Sequence, residues 1–246
     1  MSISYIITIN TLNNIPNDEI TINSTYSGDF VTYNNFHILD SLQYGGNILY
    51  EVTYNKKKCR RWTDCYGRII IDTIKIKNKY ALSNLSTFEY LHEIGSLKKK
   101  NDQILYWACK KGYQHIVEYL LNNDYIIHNE IPLENVAFSN NINLFIYIYK
   151  KTNELNILIN KDYLLVLASY KGNLEIIKYL MCIGANMNAH DNLPIYLYAL
   201  YNHVDALIFA LNFNVDIHIK DNYIFKFAKN NGHDNIIKLL ENYKKK

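Results

Sequence analysis

Glycine and proline are scarce in this chain, 9 and 3 among 246 residues, and no glycine-rich phosphate-binding loop occurs. Cysteine is scarce too. The four present have no spacing that suggests a disulfide framework, so reduced thiols in a cytosolic or nuclear compartment are expected. No apolar run approaches the roughly 18 residues of a membrane span. The stretch Ile3–Ile9 is apolar but short, with neither a basic leader nor a small-residue cleavage site, so the sequence reads as neither secreted nor membrane-embedded. A net charge of +3 gives no field that would by itself predict a nucleic-acid or membrane partner. Hydrophobic residues make up 49% of the chain, aromatic ones 14%, which supplies a buried core and excludes global disorder. This length accommodates one or two domains.

Repetition is what the chain does have. Ala108, Ala168 and Ala228 are each followed by a glycine (Gly112, Gly172, Gly232), then by an aliphatic pair (Ile116–Val117, Ile176–Ile177, Ile236–Ile237) and a leucine (Leu120, Leu180, Leu240). Weaker copies fill the gaps. Ala137 leads to Phe145–Ile146 and Tyr149, with Asn141 where the glycine should be, and Ala199 leads to Ala206–Leu207 and Leu211, with Asn202–His203 there. The copies thus start at 108, 137, 168, 199 and 228. Asparagine tolerates the left-handed backbone next best after glycine, so Asn141 is expected to preserve the turn. Within copy three, Leu164, Leu165, Leu167 and Ala168 form a short apolar helical run that Gly172 ends. A second run carries Ile176, Ile177, Leu180 and Met181 at helical spacing and closes at Gly184. One unit is helix, tight turn, longer helix, loop. Neither helix can bury its apolar face alone, so units must stack into a solenoid.

The run Leu167-Ala168-Ser169-Tyr170-Lys171-Gly172-Asn173-Leu174-Glu175-Ile176-Ile177-Lys178-Tyr179-Leu180 resembles the core of an ankyrin repeat, and Gly184–Ala189 resembles the segment that ends one. Phe88–Gly95 resembles the second helix of an incomplete repeat that caps the array. The resemblance implies a mainly α solenoid of about five repeats of ~30 residues over 81–246, with a partial repeat before them. The family's usual Thr-Pro-Leu-His opening is missing. Asp191-Asn192 passes almost directly into Leu193-Pro194-Ile195-Tyr196, so the finger between units is short and the helical concave face becomes the expected contact surface. A short repeat in a chain rich in Asn, Ile, Lys and Tyr, with Tyr at 23, is similar to the ankyrin proteins of giant DNA viruses (mimivirus-like), whose AT-rich coding favours those residues.

Residues 1–80 follow a different pattern. Ile3–Ile9, Ile20–Ile22, Ile48–Tyr54 and Arg68–Ile76 are rich in β-branched residues, with Gly45–Gly46 and Tyr66–Gly67 as turns and Phe36–Leu42 as one short helix. They are read as a small β-rich module of unknown role, within which Ile48–Ile76 resembles the segment that precedes the repeats in giant-virus proteins.

Chemistry-bearing groups are few. Cys59 and Cys65 make at most half a zinc site. Cys109 and Cys182 lie within the repeats and no histidine pair complements them, so no metal is expected. His115, His190, His203, His218 and His233 fall at repeat-equivalent or loop positions, none at a spacing that suggests a catalytic triad, so neither enzyme activity nor a cofactor is expected. The basic run Lys56, Lys57, Lys58, Arg60 and Arg61, with Trp62 beside it and Arg68 nearby, could track a phosphate backbone and stack bases. At a hairpin the same residues form a solvated edge that discourages strand pairing, and that reading has the greater weight. Lys98–Lys100 and Lys244–Lys246 read as solubilising caps.

Tyr170, Lys171, Tyr196, Tyr198, Tyr201 and Tyr223 cluster around the first helices and turns of copies three to five. Tyrosine anchors interfaces by joining apolar area to a polar tip, which makes these the candidate partner-binding residues. The expected function is non-catalytic protein–protein recognition through the concave face, by an intracellular protein whose oligomeric state the sequence leaves open, with a monomer favoured. If viral, it acts in the host cytoplasm or nucleus. The alternatives are nucleic-acid binding through the basic patch, or a decayed repeat paralogue without a strong partner.

Overall fold

The computed structural model describes residues 4–8, 22–32, 47–55, 57–63, 69–97, 102–213, 215, 217 and 219–243. The expected turns at Gly45–Gly46 and Tyr66–Gly67, the helix Phe36–Leu42, the lysine trios and the side chains of Lys56, Cys65, Arg68 and His218 lie outside the described residues, as does most of Ile20–Ile22. These residues group into two compact units, Met1–Ala108 with Tyr113–Ile126, and Cys109–Gly112 with Ile127–Lys246.

The first unit carries a five-stranded sheet. Its strands are β1 (Ser4–Thr8), β2 (Thr25–Thr32), β3 (Ile48–Thr53), β4 (Arg61–Thr63) and β5 (Ile69–Ala81). The order is β1-β3-β5-β2, with β4 also paired to β5, and every pairing is antiparallel. The β-branched runs Ile3–Ile9, Ile48–Tyr54 and Arg68–Ile76 supply β1, β3 and β5, whereas Ile22, the one described residue of the fourth run, lies in a turn before β2. β5 is long enough to pair with β2, β3 and β4 in turn. Phe30, Tyr50, Val52, Ile71, Ile74 and Ile76 form the buried core of the sheet. At the end of β5, Glu51 accepts hydrogen bonds from Asn78 Nδ2 (2.7 Å), Tyr80 Oη (3.2 Å) and Tyr90 Oη (3.4 Å), and the Tyr80 and Tyr90 rings stack at 4.6 Å. Tyr90 lies on α1 (Leu85–Glu93), which packs against α3 (Gln114–Asn122) through the His92–Tyr119 contact (Nδ1 to Oη, 3.2 Å).

Beyond α1 the described chain is helical, with no strand after Ala81. α2 (Asp102–Lys111) leads through Gly112 into α3. The second unit contains the packed pairs α4 (Ile131–Ala137) on α5 (Ile142–Glu154), α6 (Lys161–Lys171) on α7 (Leu174–Cys182), α8 (Ala189–Tyr201) on α9 (Val204–Ala210), and α10 (Ile219–Asn230) on α11 (Asp234–Tyr243). Stacking runs in two layers. The first helices α4, α6, α8 and α10 pack in succession, and so do the second helices α5, α7, α9 and α11. α8 is helical only from Leu193, because His190, Asp191 and Asn192 have φ of 50°, 59° and 63°. Three left-handed residues take the place of a strand finger, and Pro194 sits where the first helical turn tolerates it.

The backbone bonds fix the repeat register. The N–H groups of Tyr113, Asn173, His203 and His233 donate to the carbonyls five residues back, of Ala108, Ala168, Tyr198 and Ala228, at 2.8–3.1 Å. The copies therefore start at 108, 168, 198 and 228, with Val136 in the equivalent place of copy two. Reading Ala137 and Ala199 as starts is one residue late. The buried second-helix positions agree: Ile116, Val117 and Leu120; Leu144, Phe145 and Ile148; Ile176, Ile177 and Leu180; Ala206, Leu207 and Ala210. Ile146, Tyr149 and Leu211 are thus not core positions. The expectation for Asn141 is corrected as well. Its φ is −117°, and its side chain caps α5 by accepting from the Leu144 N–H at 3.0 Å. Asn140 holds the glycine place without a positive φ, whereas Asn202 (φ 60°) does replace the glycine as expected.

Candidate interaction surface

The residue before each second helix ties one repeat to the last. Asn141 Nδ2 donates to the Gly112 carbonyl (3.0 Å), and Asn173 Nδ2 to those of Ala137 and Ser139 (2.7 Å each). His203 Nε2 meets the Tyr170 carbonyl at 3.1 Å and His233 Nδ1 the Ala199 carbonyl at 2.8 Å. The last carbonyls of a helix have no intrahelical donor, so these side chains satisfy them across the repeat boundary. The role was missed in the sequence, although its signal, an Asn or His just after the turn, was visible.

That ladder fixes the ends of the first helices, where the exposed aromatic residues lie. Tyr170 and Tyr201, 41% and 43% exposed, meet edge to face at 4.9 Å between centroids, and Phe138 meets Tyr170 at 6.2 Å. Lys171 Nζ sits 5.5 Å from the Tyr170 centroid, Lys110 Nζ 5.9 Å from that of Phe138. Neither ammonium has an ion pair among the described residues. Loss of water, and after it the Tyr170 hydroxyl, raises the Tyr201 pKa. The structure thus brings Tyr170, Lys171 and Tyr201 together and adds Phe138 and Lys110, which sequence reasoning passed over. Tyr223 (45% exposed) and Tyr196 form a second group around Phe227, with Lys226 Nζ 5.1 Å from the Tyr223 centroid.

Tyr198 does not belong to this surface. It is fully buried, its hydroxyl 2.8 Å from Ser169 Oγ and 3.8 Å from Met187 Sδ. In the corrected register it occupies the alanine position of copy four, so a large ring fills space that a methyl group leaves elsewhere.

On the first unit, Lys57, Lys58, Arg61 and Trp62 are exposed, as the basic-patch reading expects. Arg60 is committed to Asp72, with Nε 3.1 Å from Oδ2 and its backbone N–H donating to Oδ1 at 3.0 Å. Cys59 is half-buried and Cys109 buried, whereas Cys182 is exposed. Among the described residues no cluster of three or more His, Cys, Asp and Glu could hold a metal ion, and no helix is long and apolar enough to cross a membrane.

The ankyrin repeat family matches residues 160–192, which span α6, α7 and the left-handed segment after them. This chain contains an ankyrin repeat. It is also similar to a mimivirus chain named as an ankyrin repeat protein, R791 of Acanthamoeba polyphaga mimivirus, at 28% identity over 171 residues. The match covers 62% of this chain and 55% of that relative, so it spans about half the relative's length. Ankyrin repeats generally mediate protein–protein interactions and are generally non-catalytic.

Proposed function

We propose that this chain is a non-catalytic recognition protein of a giant virus, which holds a protein partner on the concave face of its repeats inside the infected cell. The observation that carries the reading is the row of half-buried Phe138 and exposed Tyr170 and Tyr201, with Lys110 and Lys171, which have no ion pair among the described residues, alongside. Aromatic rings braced by one another and by a fixed ladder lose little side-chain freedom on contact, so most of their apolar area counts toward affinity. Tyr223 extends the surface, with the half-buried Tyr196 ring behind it; residues 1–80 are taken as a separate module.

The test is capture from lysate of the amoebal host by the full chain and by Tyr170→Ala/Tyr201→Ala, read by mass spectrometry. Both side chains are exposed, so the double variant should keep its melting temperature while losing a discrete, nuclease-resistant partner. The same proteins on both baits, or none on either, would reject this surface.

Nucleic-acid binding through Lys57, Lys58, Arg61 and Trp62 is the second reading, supported by the 39% exposure of Trp62 beside Arg61. It requires affinity that falls steeply with salt.

A further inference from the structure

A cavity of about 700 Å³ lies on the sheet of the first unit, within the size range of small-molecule sites. Its lining includes Lys57, Lys58 and Lys75 with Thr25, Thr53 and Thr73. Register explains how they meet. Lys75 of β5 pairs directly with Thr25 of β2 on one side and with Thr53 of β3 on the other, so the three form one transverse row across the sheet. Strand alternation places Thr73 on the same face, two residues along.

The loop after β3 supplies the other two lysines, and it is held at both ends. The Lys58 and Cys59 N–H groups donate to the Asn55 carbonyl (3.0 Å each), and the Lys57 N–H to Asn55 Oδ1 (3.0 Å). Cys59 Sγ donates to the Thr73 carbonyl at 3.3 Å, and the Arg60–Asp72 pair clamps the loop's exit. That clamp occupies Asp72. Among the described residues Lys57, Lys58 and Lys75 have no carboxylate partner, and no acid lines the cavity.

We propose that this cavity is a binding site for a small multivalent anion of the polyphosphate class. Three lysines and three threonines line this one recess, and bonds at Asn55, Cys59 and Arg60 hold the backbone that carries Lys57 and Lys58. A linear nucleic acid would favour an open basic run, whereas here the lysines line a recess and the exposed Arg60 is paired with Asp72.

The test is isothermal titration of the full chain with sodium tripolyphosphate and with ATP, at low and high salt. Both probes should bind one to one and weaken as salt rises. Lys57→Gln/Lys58→Gln, on exposed loop positions, and Lys75→Gln should each weaken binding by about tenfold or more. Lys178→Gln, on α7 and paired with Glu175 at 2.8 Å, should leave binding unchanged. Tighter binding of ATP would mark a nucleotide ligand, equal binding the phosphate chain alone; both support the site. Absence of binding, equal loss in Lys178→Gln, or lysine-dependent capture of a single-stranded DNA oligomer without tripolyphosphate binding would overturn it. None of these outcomes bears on the aromatic surface of the repeats.

Discussion

Asn173 Nδ2 donates to the Ala137 carbonyl at 2.7 Å across a repeat boundary, and the same amide reaches the Ser139 carbonyl at 2.7 Å. The side chain is buried and both acceptors lie at the end of α4, where no intrahelical donor remains. Asn173→Ala removes both bonds and leaves two acceptors unpaired, at a cost of about 1–3 kcal/mol each at most. Asn173→Asp should be worse, because it buries a carboxylate against two carbonyl oxygens. Urea unfolding of the three proteins checks the order. An Asp variant as stable as Ala would mean the amide does not bond there.

Gly172 and Gly232 offer a paired test. Both have positive φ, 69° and 68°, so a side chain at either costs about 1–2 kcal/mol of backbone strain. Only Gly172 is also confined, since a Cβ there would lie 2.5 Å from Nδ1 of His203, the ring that reaches the Tyr170 carbonyl. At Gly232 nothing lies within 4 Å. Gly172→Ala should therefore lower the melting temperature clearly more than Gly232→Ala, and displace the His203 ring signal in NMR spectra. Equal losses would show that the histidine gives way freely.

Much of this was legible in the sequence, and the failures have physical causes. Apolar spacing and turn glycines located the helices, and β-branched runs located β1, β3 and β5. β2 was missed because Ser27, Gly28 and Asp29 interrupt its pattern at the register shift before Phe30, and β4 is only Arg61–Thr63. The weak copies were displaced by one residue because alanine was taken as the anchor. What the position requires is that neighbours fill the space, which Val136 and Tyr198 do with larger side chains. The same shift hid Tyr198 in the core and left Phe138 out of the surface group. Contacts between distant positions, such as Thr25–Lys75–Thr53, depend on strand register, which local patterns specify poorly.

Leu180 tests the register itself. It is fully buried on α7, between the α5 and α9 second helices that pack on either side. Leu180→Ala should cost about 2–5 kcal/mol by leaving a cavity. An unmoved thermal midpoint would place it outside the core and reject the assignment of copy three. Met181, one residue on and only partly buried, should tolerate alanine with a smaller loss.

Thiol chemistry should separate Cys109 from Cys182. Burial raises the Cys109 pKa far above its ordinary value, so the thiol stays protonated and unreactive, whereas Cys182 is exposed. With iodoacetamide at pH 8, peptide mapping should find Cys182 alkylated first and Cys109 modified only as urea unfolds the chain. Early modification of Cys109 would mean that α2 opens readily.

Tyr50 links the sheet to alkaline stability. It is fully buried, its hydroxyl has no hydrogen-bond partner among the described residues, and burial, followed by the nearby Tyr26, pushes its pKa from 10.0 to about 12. Between those values the folded protein keeps a proton that the unfolded chain loses, so the contribution is intact below pH 10 and falls away as pH rises toward 12. Tyr50→Phe removes both the unpaired hydroxyl and this titration. The variant should be at least as stable at pH 7, by up to about 1–3 kcal/mol, and should lose less stability between pH 9 and 11. Tyr198 and Tyr90, also raised by burial, titrate in the same direction, so the alkaline loss should shrink rather than vanish. Urea midpoints at the two pH values decide the matter. A variant less stable at pH 7 would show that the Tyr50 hydroxyl has a partner in the folded protein.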